Sequence, residues 1–498
     1  MTAEISDVIV IGGGNAAACT ALAAAESGAS VRLLECAPET LRGGNSTFTA
    51  GAMRVAYDGV QDIQTLVPDL TPDEIENTDF GRYSSDQFLD DLARVTEYQC
   101  DPDLAETLVN RSFDTLNWMR QKGVRFQPIW GRQAFKVDGQ FKFWGGLTVE
   151  AWGGGPGLVD ALYEAMADNN IDVHYNAEAY RLERDDSGVV AVQARINGHD
   201  TRLPTKAVVL ACGGFQANPE WRTRYLGKHW DVAKVRGTAF NVGTGHKMAI
   251  DIGAATRGNW SGCHAVGWER NAPEFGDLAV GDGFQKHSYP FGIMVNARGE
   301  RFVDEGADFR NYTYAKYGAE ILAQPGQFAW QIFDQKVTHL LRDEYRIRQV
   351  TKVTADSLEA LAERLDDVDS ASVLRTLNEW NAAVDTAIEF NPNIKDGRCT
   401  KGLTLNKSNW ANTLDEPPYE AYAVTCGVTF TFGGLRINPQ AEVLGTNLSP
   451  IPGLYAAGEI VGGLFFFNYP GGSGLTNGAV FGRLAGNGAA SFALSKRG

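Results

Sequence analysis

The sequence predicts an α/β fold in which the first domain is interrupted by an inserted second domain. The chain of 498 residues opens with a strand, a glycine turn and a helix at 7–35, and it closes with a similar unit at 453–486. Between about 236 and 355, aromatic residues and glycine loops replace the helical period. We therefore predict a first domain formed by 1–235 and 356–498, with a second domain at 236–355.

The opening unit has the features of a Rossmann-like turn. Residues 8–11 form a short apolar run, typical of a strand buried on both faces. Gly12 permits a tight turn, and Gly14 lets the backbone approach a pyrophosphate. A helix predicted over 16–27 offers its free N–H groups to the phosphates. Glu35 ends the next strand, predicted over 31–34, where an acid can bind ribose hydroxyls. An ordinary glycine turn is the alternative, but strand, helix and acid together favour a dinucleotide.

Composition argues against several classes of function. The net charge is −16, from 45 basic and 61 acidic residues, and no basic run stands out, so no nucleic-acid partner is expected. The seven cysteines are dispersed without a Cys-x-x-Cys pair. No metal site is therefore expected, and reduced thiols in a cytoplasmic protein are predicted. We expect no signal peptide and, without an apolar stretch of about 18 residues, no membrane span.

Five segments follow one another along nearly the whole chain: GGGNAAA, RGGNSTFTAGAMR, AVVLACGGF, RFVDEG and GLYAAGE…GGSGL. In this order they resemble the fumarate reductase/succinate dehydrogenase flavoprotein superfamily. RFVDEGADFRNYTYAKYG, VTFTFGGLRIN and NYPGGSGLTNGAVFG look most like tricarballylate dehydrogenases within it. The resemblance implies a Rossmann-like FAD-binding domain of the glutathione-reductase type, with an inserted α+β cap domain folded over the flavin ring and the active site between them.

The resemblance also implies a cofactor site. It assigns 43–46 to the pyrophosphate and flavin ring, 50–51 to the side of the ring, 179 and 211–213 to the adenine, 459 to the ribityl chain and 472–475 to the pyrimidine oxygens. About half of these glycines could equally be simple turns. With the opening turn included, the predicted cofactor-binding residues are Gly12, Gly14, Asn15, Ala16, Glu35, Gly43, Gly44, Asn45, Ser46, Ala50, Gly51, Ala179, Ala211, Gly213, Glu459, Gly472, Ser473, Gly474 and Leu475.

One position departs from the membrane-bound members of the superfamily. Those members attach FAD through a His in the early loop, and this position reads Asn45 here. The resemblance therefore implies non-covalent FAD.

The resemblance implies hydride and proton transfer across a C–C bond next to a carboxylate or carbonyl, the chemistry of an oxidoreductase acting on CH–CH groups. The family's proton group follows the motif at 301–305, which makes Arg310 the candidate acid or base. Arginine stays protonated in water, so Arg310 needs a buried relay, for which Glu305 and Asp308 are candidates. Alternatively, Arg310 only pairs with Glu305 to hold the cap. Tyr312 is the reserve candidate, because ketosteroid dehydrogenases place a Tyr near this position.

The predicted substrate-binding residues differ from the fumarate pattern. Where fumarate reductases hold a carboxylate with His and Arg, this chain has Phe430 and Tyr469, so fumarate itself is not the expected substrate. Tyr469 can hydrogen-bond a carbonyl or carboxylate oxygen or pack on the flavin edge. His264 matches a family His near one carboxylate, with a purely structural His as the alternative. Lys286 and His287 lie where the family keeps polar contacts.

Three functions remain open from the sequence. The first is dehydrogenation or reduction of a tricarballylate-like polycarboxylate. The second is desaturation or reduction of a cyclic ketone, as in ketosteroid dehydrogenases, favoured by Tyr469 and by an apolar wall of Phe430, Phe432, Phe465, Phe466 and Phe467. The third is an electron-transfer flavoprotein subunit of a complex.

All three functions need a partner for electrons. The chain has no iron–sulfur or haem ligands of its own, so the expected external acceptor or donor is an iron–sulfur or haem membrane partner, or oxygen. Arg236 and Arg270 are weaker candidates for contact with an anionic substrate.

Overall fold

The structure is a computed structural model that describes residues 5–130, 132–143 and 145–496. In these ranges the α-helices are α1 (Asn15–Glu26), α2 (Val60–Leu66), α3 (Pro72–Glu76), α4 (Ser85–Val95), α5 (Pro102–Gln121), α6 (Gly154–Asp168), α7 (Pro219–Trp221), α8 (Thr244–Asp251), α9 (Tyr314–Leu322), α10 (Leu358–Arg364), α11 (Ser370–Ala383) and α12 (Ser473–Ser495). None of these described helices is long and apolar enough to cross a bilayer.

The strands occur between these helices, singly or in runs. They are β1 (Ser6–Ile11), β2 (Val31–Leu34), β3 (Ala52–Met53), β4 (Thr78–Asp79), β5 (Phe126–Pro128), β6 (Ala134–Val137), β7 (Gln140–Phe143), β8 (Val149–Ala151), β9 (Asp172–His174), β10 (Ala177–Asp185), β11 (Gly188–Ile196), β12 (His199–Leu210), β13 (Lys234–Val235), β14 (Thr256–Arg257), β15 (Cys263–Glu269), β16 (Ile293–Val295), β17 (Ala329–Phe333), β18 (Lys352–Ala355), β19 (Tyr419–Thr431), β20 (Gly434–Leu435), β21 (Glu442–Leu444) and β22 (Pro450–Ala456).

The first sheet has a parallel core in the order β9–β2–β1–β12–β22. Every residue of β1 is buried, which explains its uninterrupted apolar run, since parallel strands are covered on both faces. The predicted strand at 31–34 is confirmed, and the predicted helix at 16–27 is present as α1, shifted by one residue. β10, β11 and the first part of β12 extend this sheet as an antiparallel meander.

α12 packs against α1, so the two glycine units at opposite ends of the chain meet. Gly478, Gly482 and Gly486 recur every four residues and therefore lie on one face of α12. A Cβ at Gly482 would lie 2.6 Å from the Ala16 carbonyl oxygen, and one at Gly486 would lie 2.3 Å from the Thr20 carbonyl oxygen. The absence of side chains on this face thus allows the two helix backbones to approach closely.

β19 is the central strand of a second, six-stranded sheet. It pairs with β13, β15, β17 and β18, and β16 pairs with β17. α10 and α11 pack on this sheet, where Leu361 and Trp380 share an apolar core with Ile293 and Trp330. Residues 356–431 therefore accompany the second sheet, although the sequence-based division assigns them to the first domain. That division stays a prediction, and this packing favours a boundary near residue 432.

Candidate active site

A cavity of about 510 Å³ is lined by residues of both sheets, a volume typical of cofactor and small-molecule sites. One part of its wall consists of backbone turns at 12–16, 44–46 and 211–213 together with Gly472, Gly474, Leu475, Asn477 and Gly478, and we call this the glycine end. The other part is formed by Arg132, Arg236, His287, Arg310 and Arg342, and we call this the arginine end.

The glycine end depends on backbone shape. Gly12 has a φ of +117°, and a Cβ there would lie 2.3 Å from the Ala211 carbonyl oxygen. A Cβ at Gly13 would lie 2.1 Å from Glu35 Oε2. These turns therefore fit only glycine, and the side-chain-free wall leaves room for a ligand to contact the backbone.

Two helices begin at this wall. α1 and α12 have Gly14 and Gly472 as N-caps, and neither N-cap supplies a side-chain hydrogen bond. The Asn15 side chain donates to the Leu475 carbonyl oxygen at 2.8 Å, which joins the first turns of both helices. Because free N–H groups and the positive end of the helix dipole attract anions, the glycine end suits phosphates and other electronegative groups.

Two acids face the glycine end, of which Glu35 is buried and Glu459 is half-buried. Glu35 accepts a hydrogen bond from the Ala37 N–H at 2.8 Å, and burial raises the pKa of its carboxyl. Glu459 accepts from the Thr431 N–H at 3.0 Å and from Gln216 Nε2 at 3.2 Å. Burial raises the pKa of Glu459 to about 8. Both acids line the cavity, where hydroxyl groups of a ligand would supply further hydrogen bonds.

Asn45 connects the glycine end to the second sheet. Its Nδ2 donates to the Thr429 carbonyl oxygen in β19, and its Oδ1 accepts from the Thr238 N–H at 2.9 Å. A Cβ at Gly237 would lie 2.1 Å from Asn45 Oδ1, so this contact also requires a glycine opposite. The early loop is thereby held against β19 of the second sheet.

The arginine end is a network of cations around two carboxylates. Arg342 Nη2 lies 2.7 Å from Glu344 Oε1, and Arg132 Nη2 lies 3.2 Å from the same oxygen. Arg236 Nη2 lies 2.7 Å from Asp282 Oδ1, and Arg132 Nη1 lies 3.8 Å from Asp282 Oδ2. With Arg310 in the same cavity wall, cations outnumber anions at this end.

Burial and charge shift the protonation of this network. Burial opposes ionisation of Glu344, but Arg342 and Arg132 outweigh it and lower the pKa of Glu344 to about 2. Burial, followed by the charge of Arg342, lowers the pKa of Arg310 well below its ordinary value. The same two causes hold the pKa of His287 well below 6.5, so His287 is neutral at pH 7.

Aromatic side chains complete the wall beside the arginines. The hydroxyls of Tyr314 and Tyr469 are hydrogen-bonded to each other, and the Gly472 N–H donates to the Tyr469 hydroxyl at 3.4 Å. Phe430 packs edge-on against Tyr469, with ring centroids 5.3 Å apart. His264 stacks on Phe430 from behind at 5.1 Å. This side of the cavity offers phenolic hydroxyls within a mainly apolar surface.

The chain matches the FAD binding domain family over residues 7–475. It belongs to this flavoprotein family. A probable fumarate reductase, Ifc3, of Shewanella frigidimarina (strain NCIMB 400) is 30% identical over 99% of this chain and 76% of the relative. A flavocytochrome c3 fumarate reductase in an open conformation has a TM-score of 0.73 at 28% identity, over 99% of this chain and 79% of that chain. A 3-ketosteroid Δ1-dehydrogenase from Sterolibacterium denitrificans has a TM-score of 0.74 at 21% identity, over 98% of this chain and 99% of that chain. At this identity the likeness shows the fold alone.

The predicted superfamily and FAD as cofactor are thereby confirmed, and the flavoprotein is an FAD-dependent oxidoreductase. None of these three proteins is named a tricarballylate dehydrogenase, so that narrower resemblance stays a prediction. The glycine end fits FAD, because it presents two glycine-capped helix starts and a wall that a Cβ would fill. FAD supplies a hydride acceptor or donor when bound.

Most predicted site residues of the flavoprotein line this one cavity. They are Gly12, Gly14, Asn15, Ala16, Glu35, Gly44, Asn45, Ser46, Ala50, Ala179, Ala211, Gly213, Glu459, Gly472, Gly474 and Leu475 among the cofactor residues, with His287, Arg310, Phe430 and Tyr469 among the others. The individual roles assigned to them stay predictions.

Six of the predicted cofactor, catalytic and substrate-binding residues lie outside the cavity wall: Gly43, Gly51, Ser473, His264, Lys286 and Tyr312. Phe466 and Phe467 of the predicted apolar wall also lie outside it. Gly43 and Gly51 have positive φ angles, and Gly43, with a φ of +95°, precedes the 3₁₀ turn Gly44–Phe48. Ser473 is the first residue of α12. His264 lies behind Phe430.

Lys286 and Tyr312 are engaged elsewhere. Lys286 Nζ donates to backbone carbonyls, including that of Glu344 at 3.0 Å, so its ammonium is engaged there, and its role as a substrate contact stays a prediction. Tyr312 donates to Asp91 at 2.6 Å and accepts from Arg54 at 3.4 Å, which argues against it as the reserve acid or base.

The carboxylates predicted to relay protons to Arg310 have other strong partners. Glu305 forms an ion pair with Arg301 and accepts from the Met294 N–H at 2.8 Å. Asp308 lies 2.8 Å from Arg94. Among the acids, Glu344 instead has the largest effect on Arg310, because its charge raises the pKa of Arg310. Burial and the charge of Arg342 lower that pKa by more.

Sequence reasoning missed Arg132, Arg342, Glu344, Asp282 and Tyr314. Tyr314 stands in the quoted RNYTYAKYG segment, two positions beyond Tyr312, so a test of neighbouring tyrosines would have found it. Arg132 and Arg342 lie in segments without a motif, and only the fold brings them together. The weaker candidate Arg236 lines the cavity, whereas Arg270 pairs with Asp367 outside its wall.

Proposed function

We propose that the flavoprotein adds or removes two hydrogens across a C–C bond next to a carboxylate or carbonyl. The main support is that one cavity joins the glycine end, which suits FAD, to the cation-rich arginine end. A substrate bound among these arginines would lie in the same enclosed space as the cofactor. The phenylalanines Phe430, Phe432 and Phe465 line that space and would exclude water from it.

Arg310 is the proposed proton donor or acceptor. Its lowered pKa makes proton release easier than from an arginine in water, since burial and Arg342 disfavour the charged form. Glu344 offsets part of this charge repulsion. Tyr469, held by Tyr314 and the Gly472 N–H, is the proposed donor of a hydrogen bond to the activating oxygen.

The proposed substrate is a polycarboxylate, with a tricarballylate-like compound as the working example. The support is electrostatic, because four arginines surround two carboxylates at the arginine end. A bound anion would balance the excess charge, whereas a neutral ligand would leave it uncompensated. The charge does not distinguish dehydrogenation from reduction.

A cyclic ketone is the second candidate, favoured by the Tyr314–Tyr469 hydroxyl pair beside Phe430. An aromatic wall with a phenolic donor suits an apolar ring carrying one carbonyl.

The decisive experiment uses the FAD-loaded protein without oxygen. Flavin bleaching is measured against tricarboxylates, dicarboxylates and ketosteroids, and reoxidation of the reduced protein against their unsaturated counterparts. We expect Arg310→Met to retain FAD and to lower turnover by about 10²- to 10⁴-fold. No response to any compound would sink the proposal. Near-normal turnover of Arg310→Lys would favour the third function, an electron-transfer subunit.

Further parts of the proposal concern the cofactor and the setting of the enzyme. Non-covalent FAD is supported by Asn45, whose amide is engaged by Thr238 and Thr429, and acid precipitation should release the flavin into the supernatant.

The glutathione-reductase-type domain with a cap is supported by the two sheets that share the cavity. All seven cysteines are free thiols, which supports the proposed cytoplasmic location. An external electron partner remains part of the proposal.

A further inference from the structure

Arg54 is a fully buried cation beside the start of α12. Its exposed fraction is 0%, and it lies behind the cavity wall rather than in it. Arg54 Nε donates to the Gly471 carbonyl oxygen at 2.8 Å, and its backbone N–H donates to the Gly472 carbonyl oxygen at 3.1 Å. The Thr476 hydroxyl donates to the Arg54 carbonyl oxygen at 2.8 Å. Arg54 therefore fixes the first turn of α12, which belongs to the glycine end.

The other side of the guanidinium reaches a carboxylate through two tyrosines. Arg54 Nη1 donates to the Tyr83 hydroxyl at 2.9 Å and to the Tyr312 hydroxyl at 3.4 Å. Both hydroxyls donate to Asp91 Oδ2, at 2.8 Å and 2.6 Å. Burial opposes the charge of Arg54, but these three groups raise its pKa above the ordinary value. The buried cation is thus kept charged and is balanced by Asp91.

The same network holds the 3₁₀ turn Arg310–Tyr312, which we call the Arg310 turn, on both sides. Tyr312 follows Arg310 by two residues and donates to Asp91. Asp308 precedes Arg310 by two residues and lies 2.8 Å from Arg94. Asp91 and Arg94 are three residues apart on α4, so they share one helix face. Arg310, which lines the cavity, is therefore held between two contacts with α4.

We propose that Arg54 and Tyr312 are positioning residues, which set Arg310 against the start of α12. The proposed reaction moves a hydride and a proton at neighbouring carbons, and the groups that exchange them lie on segments distant in the sequence. Arg54 contacts both segments. The Gly471 N–H also donates to the Asn311 carbonyl oxygen at 2.8 Å, so Arg54 reinforces a backbone contact at the same place. The inference rests on the proposed function for the role of Arg310.

The two tyrosines provide a matched pair of variants. Tyr312→Phe and Tyr83→Phe each remove one hydroxyl between Arg54 and Asp91, but only Tyr312 belongs to the Arg310 turn. Arg54→Lys keeps the charge but replaces the planar fork by a compact ammonium, which cannot serve both sides at once. Flavin content and urea unfolding establish that each variant is folded and loaded with FAD.

Amide hydrogen exchange of the FAD-loaded protein, followed by mass spectrometry, tests the network without a substrate. Tyr312→Phe and Arg54→Lys should accelerate exchange in the peptide covering 308–316 by about 10- to 100-fold, because a hydrogen bond to a charged group is lost. Arg54→Lys should also accelerate it in the peptide covering 468–476. Tyr83→Phe should leave both peptides as in the wild type.

Turnover of a compound that bleaches or reoxidises the flavin then separates positioning from stabilisation alone. Tyr312→Phe should lower kcat by about 10- to 100-fold, because a small displacement of a reacting group is costly. KM should stay nearly unchanged, since substrate binding is not altered. The solvent deuterium isotope effect on kcat should rise, because the proton step at Arg310 becomes slower. Tyr83→Phe should match the wild type in all three quantities.

Equal behaviour of Tyr312→Phe and Tyr83→Phe in hydrogen exchange and isotope effect would overturn the proposal. Faster exchange of Tyr312→Phe with the kcat of the wild type would also overturn it, because Arg310 would then work without the network. A wild type that reacts with no compound would count against the proposed function instead. In that case exchange alone decides whether the network holds the Arg310 turn.

Discussion

The two ends of the cavity are built in opposite ways. The glycine end is made of backbone, and its chemistry lies in N–H groups that begin α1 and α12. The arginine end is made of long side chains from separate parts of the chain, held by carboxylates. We therefore expect folding and FAD binding to respond to added atoms at the glycine end and little to changes of charge there. At the arginine end we expect the reverse.

The largest expected effect is at the glycine end. Gly12→Ala adds one methyl group 2.3 Å from the Ala211 carbonyl oxygen at a φ of +117°, so we expect protein that is purified without FAD or fails to fold. Gly28→Ala is the matched control, because Gly28 also has a positive φ of +85° but no atom within 4 Å of a Cβ. Flavin content and thermal unfolding are the measurements. A Gly12→Ala protein with a full complement of FAD would refute the idea that the backbone shape is essential.

A smaller effect is expected from a change of charge at the arginine end. Because the pKa of Glu344 is lowered to about 2, its contribution to stability is complete above the unfolded-state pKa of about 4.5 and is lost as the pH falls towards 2. Glu344→Gln should therefore lower the free energy of unfolding at pH 7 by an amount on the order of 3 kcal/mol. The free energy of unfolding of Glu344→Gln should also depend less on pH between about 4.5 and 2 than that of the wild type.

Urea unfolding of the FAD-loaded protein across this pH range measures the effect. Glu363→Gln, an exposed change on α10, is the control. Equal stability of Glu344→Gln and wild type at pH 7 would show that the arginines do not depend on this carboxylate.

The smallest effect is expected at Asn45, which joins the glycine end to the second sheet. Asn45→Ala removes its hydrogen bonds to Thr238 and Thr429, and we expect a loss of about 1–2 kcal/mol in the free energy of unfolding with FAD retained. Asn45→Asp keeps the oxygen that accepts from the Thr238 N–H. At a pH where the aspartic acid is protonated, this variant should therefore lose less free energy of unfolding than Asn45→Ala. Denaturant unfolding followed by flavin fluorescence separates these cases. Complete loss of FAD from Asn45→Ala would assign Asn45 a direct role in holding the cofactor.

The same contrast explains which parts were predictable from sequence. Gly12, Gly14 and Glu35 occur within one local unit, where spacing along the chain fixes spacing in space. Lys286 and His287 are neighbours, yet one lies against backbone carbonyls and the other lines the cavity, because adjacent residues of extended chain point to opposite sides. Arg132 and Arg342 meet only through Glu344, a contact between distant segments that no motif records. β19 likewise pairs with strands that are distant from it in the sequence. This pairing favours a domain boundary near residue 432.

The glycine face of α12 bears on how the protein is made. α1 is synthesised well before its partner α12, which spans Ser473–Ser495. At about 5–20 residues per second, roughly 20 to 100 seconds separate the synthesis of the two helices. Throughout that interval the face of α1 that packs against Gly482 and Gly486 lacks its covering helix. The glycine end, which includes the first turns of both helices, is therefore complete only after α12 has been synthesised.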